Sequence, residues 1–391
     1  MKFDFDAPTA RRGTGSLKWD VGENELPMWV ADMDFRTAPA VTEAIVRRAK
    51  EGIFGYTVVP DDWYAAISHW WEARHGFRIP HEWLTFCTGV VPAITSVVKR
   101  VTNVGDRVVL QTPVYDIFFH SVENTGRVVS ESPLIYENGV YRPDFEDLER
   151  KLADPLATMM ILCNPHNPVG KIWTREELAA VGALCKKHGV TLLSDEIHCD
   201  LTDPGAEYVP FASVSAECRE VSVTCLSASK AFNLAGLQSA AVAVPEEHLR
   251  EKVVRGLNSD EVAEPNCFAA LATVAAFREG GAWLDELRAY LAANKRAASA
   301  AIADLAPGVR VVPQNATYLL WLDCGELTKN TDGLRDFLRR ETGLYLSAGS
   351  PYRGNGAQFL RMNVACQRDV LAKGLEKFSA GIRRLPPGNS V

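Results

Sequence analysis

The chain has 391 residues, 47% of them hydrophobic and 23% charged, and is long enough to bury more than one hydrophobic core. A formal net charge of -7 with no long Lys/Arg block excludes a basic nucleic-acid-binding surface. No apolar run approaches the roughly 18 residues of a membrane span, and the opening MKFDFDAPTARRGTG is acidic and aromatic where a secretory leader is basic and then apolar, so a cytoplasmic protein is expected.

In chain order, VTEAIVRRAKEG and DDWYAAISHWWEARHG have helical spacing, WLTFCTG reads as a strand, and VPAITSVVKRVTNVGD as a helix. RVVLQTP, RVVSESPL, TMMILCNP, VTLLSDE, VSVTCLS and SAAVAV follow as strands, most of them separated by helical stretches such as TREELAAVGALCKKHG. Strands alternating with helices predict an α/β fold: a mostly parallel seven-stranded sheet covered by helices, over residues 41–280. A long helix, GGAWLDELRAYLAANKRAASAAIADLAPG, comes next. It leads into VRVVP, TYLLWLD, the helix GLRDFLRRETG, LYLS, QFLRMNV and a last helix through LAKGLEKFSAGIRR. Residues 1–40 and 281–391 are expected to form a smaller α+β domain, ending in an unstructured tail, LPPGNSV.

Nine scattered cysteines without a C-x-x-C pair predict neither a metal site nor a disulfide framework. Several lie in apolar runs and read as small core hydrophobes.

Ligands of open α/β sheets bind beyond the carboxyl ends of the strands. Four junctions there are chemically unusual: CTGVVPA, CNPHNPVG, SDEIHCD and SASK. Gly89, Val90 and Val91 join a strand to a helix with Pro92 in its first turn, an arrangement whose free N–H groups attract an anion. Ser227 and Ser229 offer hydroxyls to the same anion, or to local backbone groups. Asp195 ends an apolar strand and needs a partner such as a protonated ring nitrogen, a helix N-cap or an arginine. Asn167 sits between two prolines that stiffen its loop. Lys230 is either a solvated charge or an amine held for carbonyl chemistry.

Together, SASKAFNLAG, SDEIH and NPHNPVG resemble the motifs of fold-type I pyridoxal-phosphate enzymes, the aspartate aminotransferase superfamily, in the family's order over nearly the whole chain. The resemblance implies pyridoxal 5'-phosphate as cofactor, Lys230 as its Schiff-base residue and catalytic base, Asp195 at the pyridine nitrogen and Asn167 at the phenolic oxygen. It further implies Tyr115 stacked on the ring, His198 near Asp195, and Arg361 on the substrate α-carboxylate. Trp29, Val30 and Ala31 would wall the carboxylate end, and Tyr56 would reach the phosphate of a neighbouring subunit in a homodimer. ELPMWVADMDF, GIFGYT, DEIHCD and SKAFNLAGLQ are similar to the cystathionine β-lyase branch typified by cystalysin and the MalY/PatB C–S lyases. Many aminotransferases carry a phosphate-binding arginine where Gln238 stands. The expected activity is β-elimination of a thiol from an amino-acid substrate, with an aminotransferase as the alternative.

Overall fold

The computed structural model describes residues 2–386; Leu385 and Pro386 are coil, and the rest of the expected tail lies outside the described residues. The main sheet contains β1 (Leu84–Cys87), β2 (Arg107–Leu110), β3 (Val128–Glu131), β4 (Ala157–Cys163), β5 (Thr191–Asp195), β6 (Ser222–Leu226) and β7 (Ala240–Ala243). Their spatial order is β1-β7-β6-β5-β4-β2-β3. β7 is antiparallel to both neighbours and every other pair is parallel.

The composition of the central strands accounts for their place. ATMMILC is almost wholly apolar and every residue of SVTCL is buried, as in strands covered on both faces. Met159, Ile161 and Leu193 pack into one core cluster, and Met160, Leu162 and Leu192 into the opposite one, following the two-residue alternation of a strand. Burying each such side chain contributes about 1.5–3 kcal/mol. The crossover helices are delimited by local chemistry: Thr174 and Glu177 form a capping box before Arg175–His188, and Gly189, at φ 68°, ends that helix in the left-handed region.

A second, antiparallel sheet holds β8 (Arg310–Val311), β9 (Leu319–Asp323), β10 (Ser347–Ala348) and β11 (Phe359–Asn363) in the order β8-β9-β11-β10. LYLS, expected as one strand, is divided. Leu344–Tyr345 pairs in parallel with Leu26–Pro27, and Ser347–Ala348 joins β11. RVVSESPL also pairs only over Val128–Glu131. Beyond it the Ser132 and Leu134 N–H groups still bond to Leu110 and Thr112 carbonyls.

Residues 1–40 and 281–391, both expected in the smaller domain, are shared between cores. Phe5, Met33 and Phe35 join the cluster under the main sheet, whereas Met28 joins that of the second sheet. The helix Gly281–Leu305 buries Trp283, Leu287 and Tyr290 in the first and Ala298 and Ile302 in the second. Its length of 25 residues lets it reach both.

Parallel pairing sets Cys163, Asp195 and Cys225 side by side. Two antiparallel steps through β7 return β1 to the same direction, with Cys87 opposite Ala240. The loops after β1, β4, β5 and β6 therefore open at one edge. Among the described residues no helix is long and apolar enough to cross a membrane.

Candidate active site

That edge encloses a cavity of about 270 Å³ bordered by Lys230, Asp195, His198, Tyr115, Asn167 and the Thr88–Val91 turn. Lys230 lies in the turn after β6. Ala228, Ala231 and Phe232 anchor that turn in the core, and the Phe232 N–H bonds back to the Ala228 carbonyl. Lys230 Nζ donates to the Ala31 carbonyl at 2.7 Å. Burial, then the Arg361 charge, brings its pKa down to about 8 against the opposing influence of Asp32 and Asp195. An amine so placed loses its proton more readily than a surface lysine and becomes a usable nucleophile.

Asp195 ends β5 and is buried, with Oδ1 accepting the Ile197 N–H at 3.1 Å. Burial pushes its pKa up to about 7; the Ile197 N–H and Lys230 oppose the rise and Glu196 adds to it. A protonated nitrogen beside it would restore the carboxylate. His198 is driven down to about 3 by burial and then by the Lys230 and Arg361 charges, so its ring is neutral. Its Nδ1 has no partner among the described residues.

Thr88, Gly89, Val90 and Val91 all border the cavity and lead into the helix Val90–Val101, whose positive end therefore meets it. The Thr88 N–H is tied to the Val262 carbonyl. At Gly89 a side chain would crowd the turn, because a Cβ there would lie 3.2 Å from Pro92 Cδ.

Arg361, on β11, donates to Asn167 Oδ1 at 3.3 Å and to the Trp29 carbonyl at 3.0 Å, and its Nε is unpartnered among the described residues. Two residues along the same strand face, Asn363 Nδ2 donates to the Val30 and Asp32 carbonyls, both at 2.6 Å. Tyr318 adds a hydroxyl on the Ala31 carbonyl at 3.1 Å. The second sheet thus clamps the Trp29–Asp32 segment over Lys230.

The expected residues are distributed unevenly. Lys230, Asp195, Asn167, Tyr115, His198, Gly89, Val90, Val91, Ser229 and Ala31 all border the one cavity. Gln238 does so as well. Ser227 does not offer a free hydroxyl: it donates to the Ser239 carbonyl at 2.6 Å and accepts the Ser229 N–H at 3.0 Å. Its proximity to Lys230 in sequence serves the turn. The Trp29 ring is also directed elsewhere, stacking on Tyr345 with centroids 4.9 Å apart and donating to the Lys18 carbonyl at 3.3 Å. Trp29 and Val30 meet Arg361 and Asn363 through their backbone carbonyls. Tyr56 is fully exposed and outside the cavity.

Asn233, Asn363, Tyr318 and Asp32 were not anticipated. Asn233, at φ 58°, takes the Met33 N–H at 3.0 Å and donates to the Met33 and Phe35 carbonyls at the same distance, locking the lysine turn to the N-terminal segment. Asn363 had a visible signal, its i+2 spacing from Arg361 in FLRMN. The others depend on long-range contacts.

A seven-stranded α/β sheet with a lysine, a carboxylate and a helix N-terminus at one edge defines a class, and the sequence agrees: the profile described as aminotransferase class I and II matches residues 21–378, so the chain belongs to that family. Among its relatives is the cystathionine beta-lyase PatB of Bacillus subtilis, 43% identical over 97% of this chain and 100% of that protein. Cystalysin of Treponema denticola, in a crystal structure containing pyridoxal 5'-phosphate, superposes with a TM-score of 0.95 at 29% identity, covering 99% of this chain and 100% of cystalysin. The PLP-bound C-S lyase of Staphylococcus hominis does so with 0.91 at 31% identity, covering 98% of this chain and 99% of that one.

Proposed function

We propose that the protein is a pyridoxal 5'-phosphate-dependent carbon–sulfur β-lyase that cleaves cystathionine or related cysteine S-conjugates to a thiol, pyruvate and ammonia. The observation that carries this reading is one cavity holding an amine with a pKa near 8, a buried carboxylate and the N-terminus of a helix. Those donors fit the coenzyme: an amine for its aldehyde, an acid for its ring nitrogen and an anion cradle for its phosphate. Asn167 would face the phenolic oxygen and Tyr115 the ring. When bound, the coenzyme supplies an electron-withdrawing ring that accepts the electron pair released at the substrate Cα.

The chain's own residues perform the remaining tasks. Arg361 receives the substrate α-carboxylate, its planar fork suited to two oxygens. Asp195 holds the proton at the ring nitrogen. Lys230 Nζ removes the Cα proton. The Cβ–S bond then breaks, the thiolate leaves with its electron pair, and released aminoacrylate hydrolyses to pyruvate and ammonia. Neutral His198 adds no charge beside Asp195. The names of the relatives support lyase over aminotransferase, as does Gln238 at the cavity.

A homodimer is part of the same proposal. Ile53, Phe54, Tyr56 and Val58 are exposed on a segment outside any helix or strand, and a second subunit would cover them while Tyr56 reaches its phosphate site. The nine cysteines, all unpaired, support a cytoplasmic location. A panel of cystathionine and smaller S-alkyl cysteines, scored by thiol and pyruvate release, tests the assignment. Release from none of them would overturn it.

A further inference from the structure

The SDEIHCD loop, which lends Asp195 and His198 to the active-site cavity, lends Cys199 and Asp200 to a separate cavity of about 440 Å³. His75, Cys199 and Asp200 all border it, and their ligand-type atoms lie within 4.8 Å of one another. His75 Nε2 is 3.0 Å from Asp200 Oδ1. The helix Asp61–His75 places His75 in its last turn, and the turn after β5 supplies the other two. Nothing in the proposed lyase chemistry uses any of them.

We infer that His75, Cys199 and Asp200 form a binding site for a borderline-soft divalent cation of the zinc class, with the fourth position open to the cavity. The donor set is one imidazole nitrogen, one thiolate and one carboxylate, a mixture that selects zinc over magnesium or calcium. The outer contacts match those of such a site. Trp70 Nε1 donates to both Asp200 oxygens, at 3.0 and 3.1 Å, holding the carboxylate as second-sphere donors hold ligands.

Cys199 is 3% exposed, and no side chain among the described residues pairs with its sulfur. The Cys199 and Asp200 N–H groups favour its thiolate, although burial and the Asp200 and Glu196 charges hold the thiol protonated in the absence of an ion. A bound cation reverses that balance and releases the thiol proton to solvent.

Arg74 and Arg288 also border the cavity, and Asp285, which Arg74 contacts through Nη1 at 2.5 Å and Arg288 at 3.8 Å, offsets one of their two charges. Metal–ligand bonds of 2.0–2.3 Å set tetrahedral edges of about 3.3–3.7 Å. From separations of up to 4.8 Å the donors must therefore close by no more than about 1.5 Å, within reach of a cysteine χ1 change. Because Cys199 and Asp200 follow Asp195 and His198 in one loop, an ion here would brace the loop that carries the active-site carboxylate.

The test is metal binding to the full-length holoenzyme, so it does not depend on the lyase assignment. After dialysis against a chelator, zinc is titrated in competition with a chromophoric chelator, and cobalt is added separately as a spectroscopic probe. The expected result is one zinc per chain, with a thiolate-to-cobalt charge-transfer band in the near ultraviolet. Cys199→Ser should abolish that band, and His75→Gln should weaken zinc binding on the order of 10–100-fold or more. Cys267→Ser, which alters the half-buried cysteine elsewhere, should change neither. Failure of the parent chain to bind one equivalent, or an unchanged cobalt band in Cys199→Ser, overturns the proposal. Coenzyme content and circular dichroism identify any variant that has not folded, and His75→Gln then decides independently of Cys199→Ser.

Discussion

At the scale of the residue, Lys230 and Asp195 hold opposite departures from their ordinary acidities for the same physical reason. Burial disfavours the charged form of each, bringing the lysine down to about 8 and the aspartate up to about 7. For Lys230 the consequence is kinetic. Coenzyme uptake by the coenzyme-free chain needs a neutral amine, so its rate should rise with pH through a midpoint near 8. Arg361→Gln removes a charge that depresses this pKa and should move the midpoint upward, which stopped-flow absorbance measures. For Asp195 the consequence is thermodynamic. Its folded pKa lies above the unfolded value of about 3.9, so between about 4 and 7 the folded state binds more protons and stability falls as pH rises. Asp195→Asn avoids that loss. Denaturant titrations of the coenzyme-free chains should show the variant's advantage growing from pH 4 to pH 7 and levelling above it, while turnover falls by on the order of 100-fold or more. An advantage that stayed constant with pH would contradict the burial argument.

At the scale of the element, the site depends on two side chains that staple separate segments. Asn233 makes three hydrogen bonds to Met33 and Phe35 in a left-handed conformation that asparagine tolerates well. At about 1 kcal/mol each, their loss in Asn233→Ala should cost about 2–3 kcal/mol, read from the midpoint shift in guanidinium. These staples also mark where sequence reading stops. The apolar runs of β4, β5 and β6 announce their strands, and the residues immediately after them announce the cavity, because both signals are local. Of the two roles open to Ser227 the local one is realised, on the Ser239 carbonyl 12 residues on, whereas the Trp29 ring departs from the expected pocket wall because its partner, the Tyr345 ring, lies 316 residues away along the chain. Asn363 and Tyr318 were missed because their targets are carbonyls of a segment some 290–330 residues earlier, which only the packed second sheet brings near.

At the scale of the whole molecule, the exposed Ile53–Val58 segment and the buried cavity belong to one proposed assembly. If Tyr56 completes the neighbouring site, chains carrying Tyr56→Ala and chains carrying Lys230→Ala should complement each other. Random mixing gives half hybrid dimers, each with one intact site, so turnover should recover to about a quarter of the parent value, while either variant alone stays far lower. No recovery after co-refolding would place Tyr56 in the same subunit's site or outside it.

The central claim is β-elimination at the Lys230 cavity, and product stoichiometry tests it most directly. Holoenzyme incubated with cystathionine and no 2-keto acid should release thiol, pyruvate and ammonia in equal amounts, and added 2-keto acid should leave that release unchanged. Absence of pyruvate, with amino-group transfer appearing only when a 2-keto acid is present, would contradict the claim and make the protein an aminotransferase.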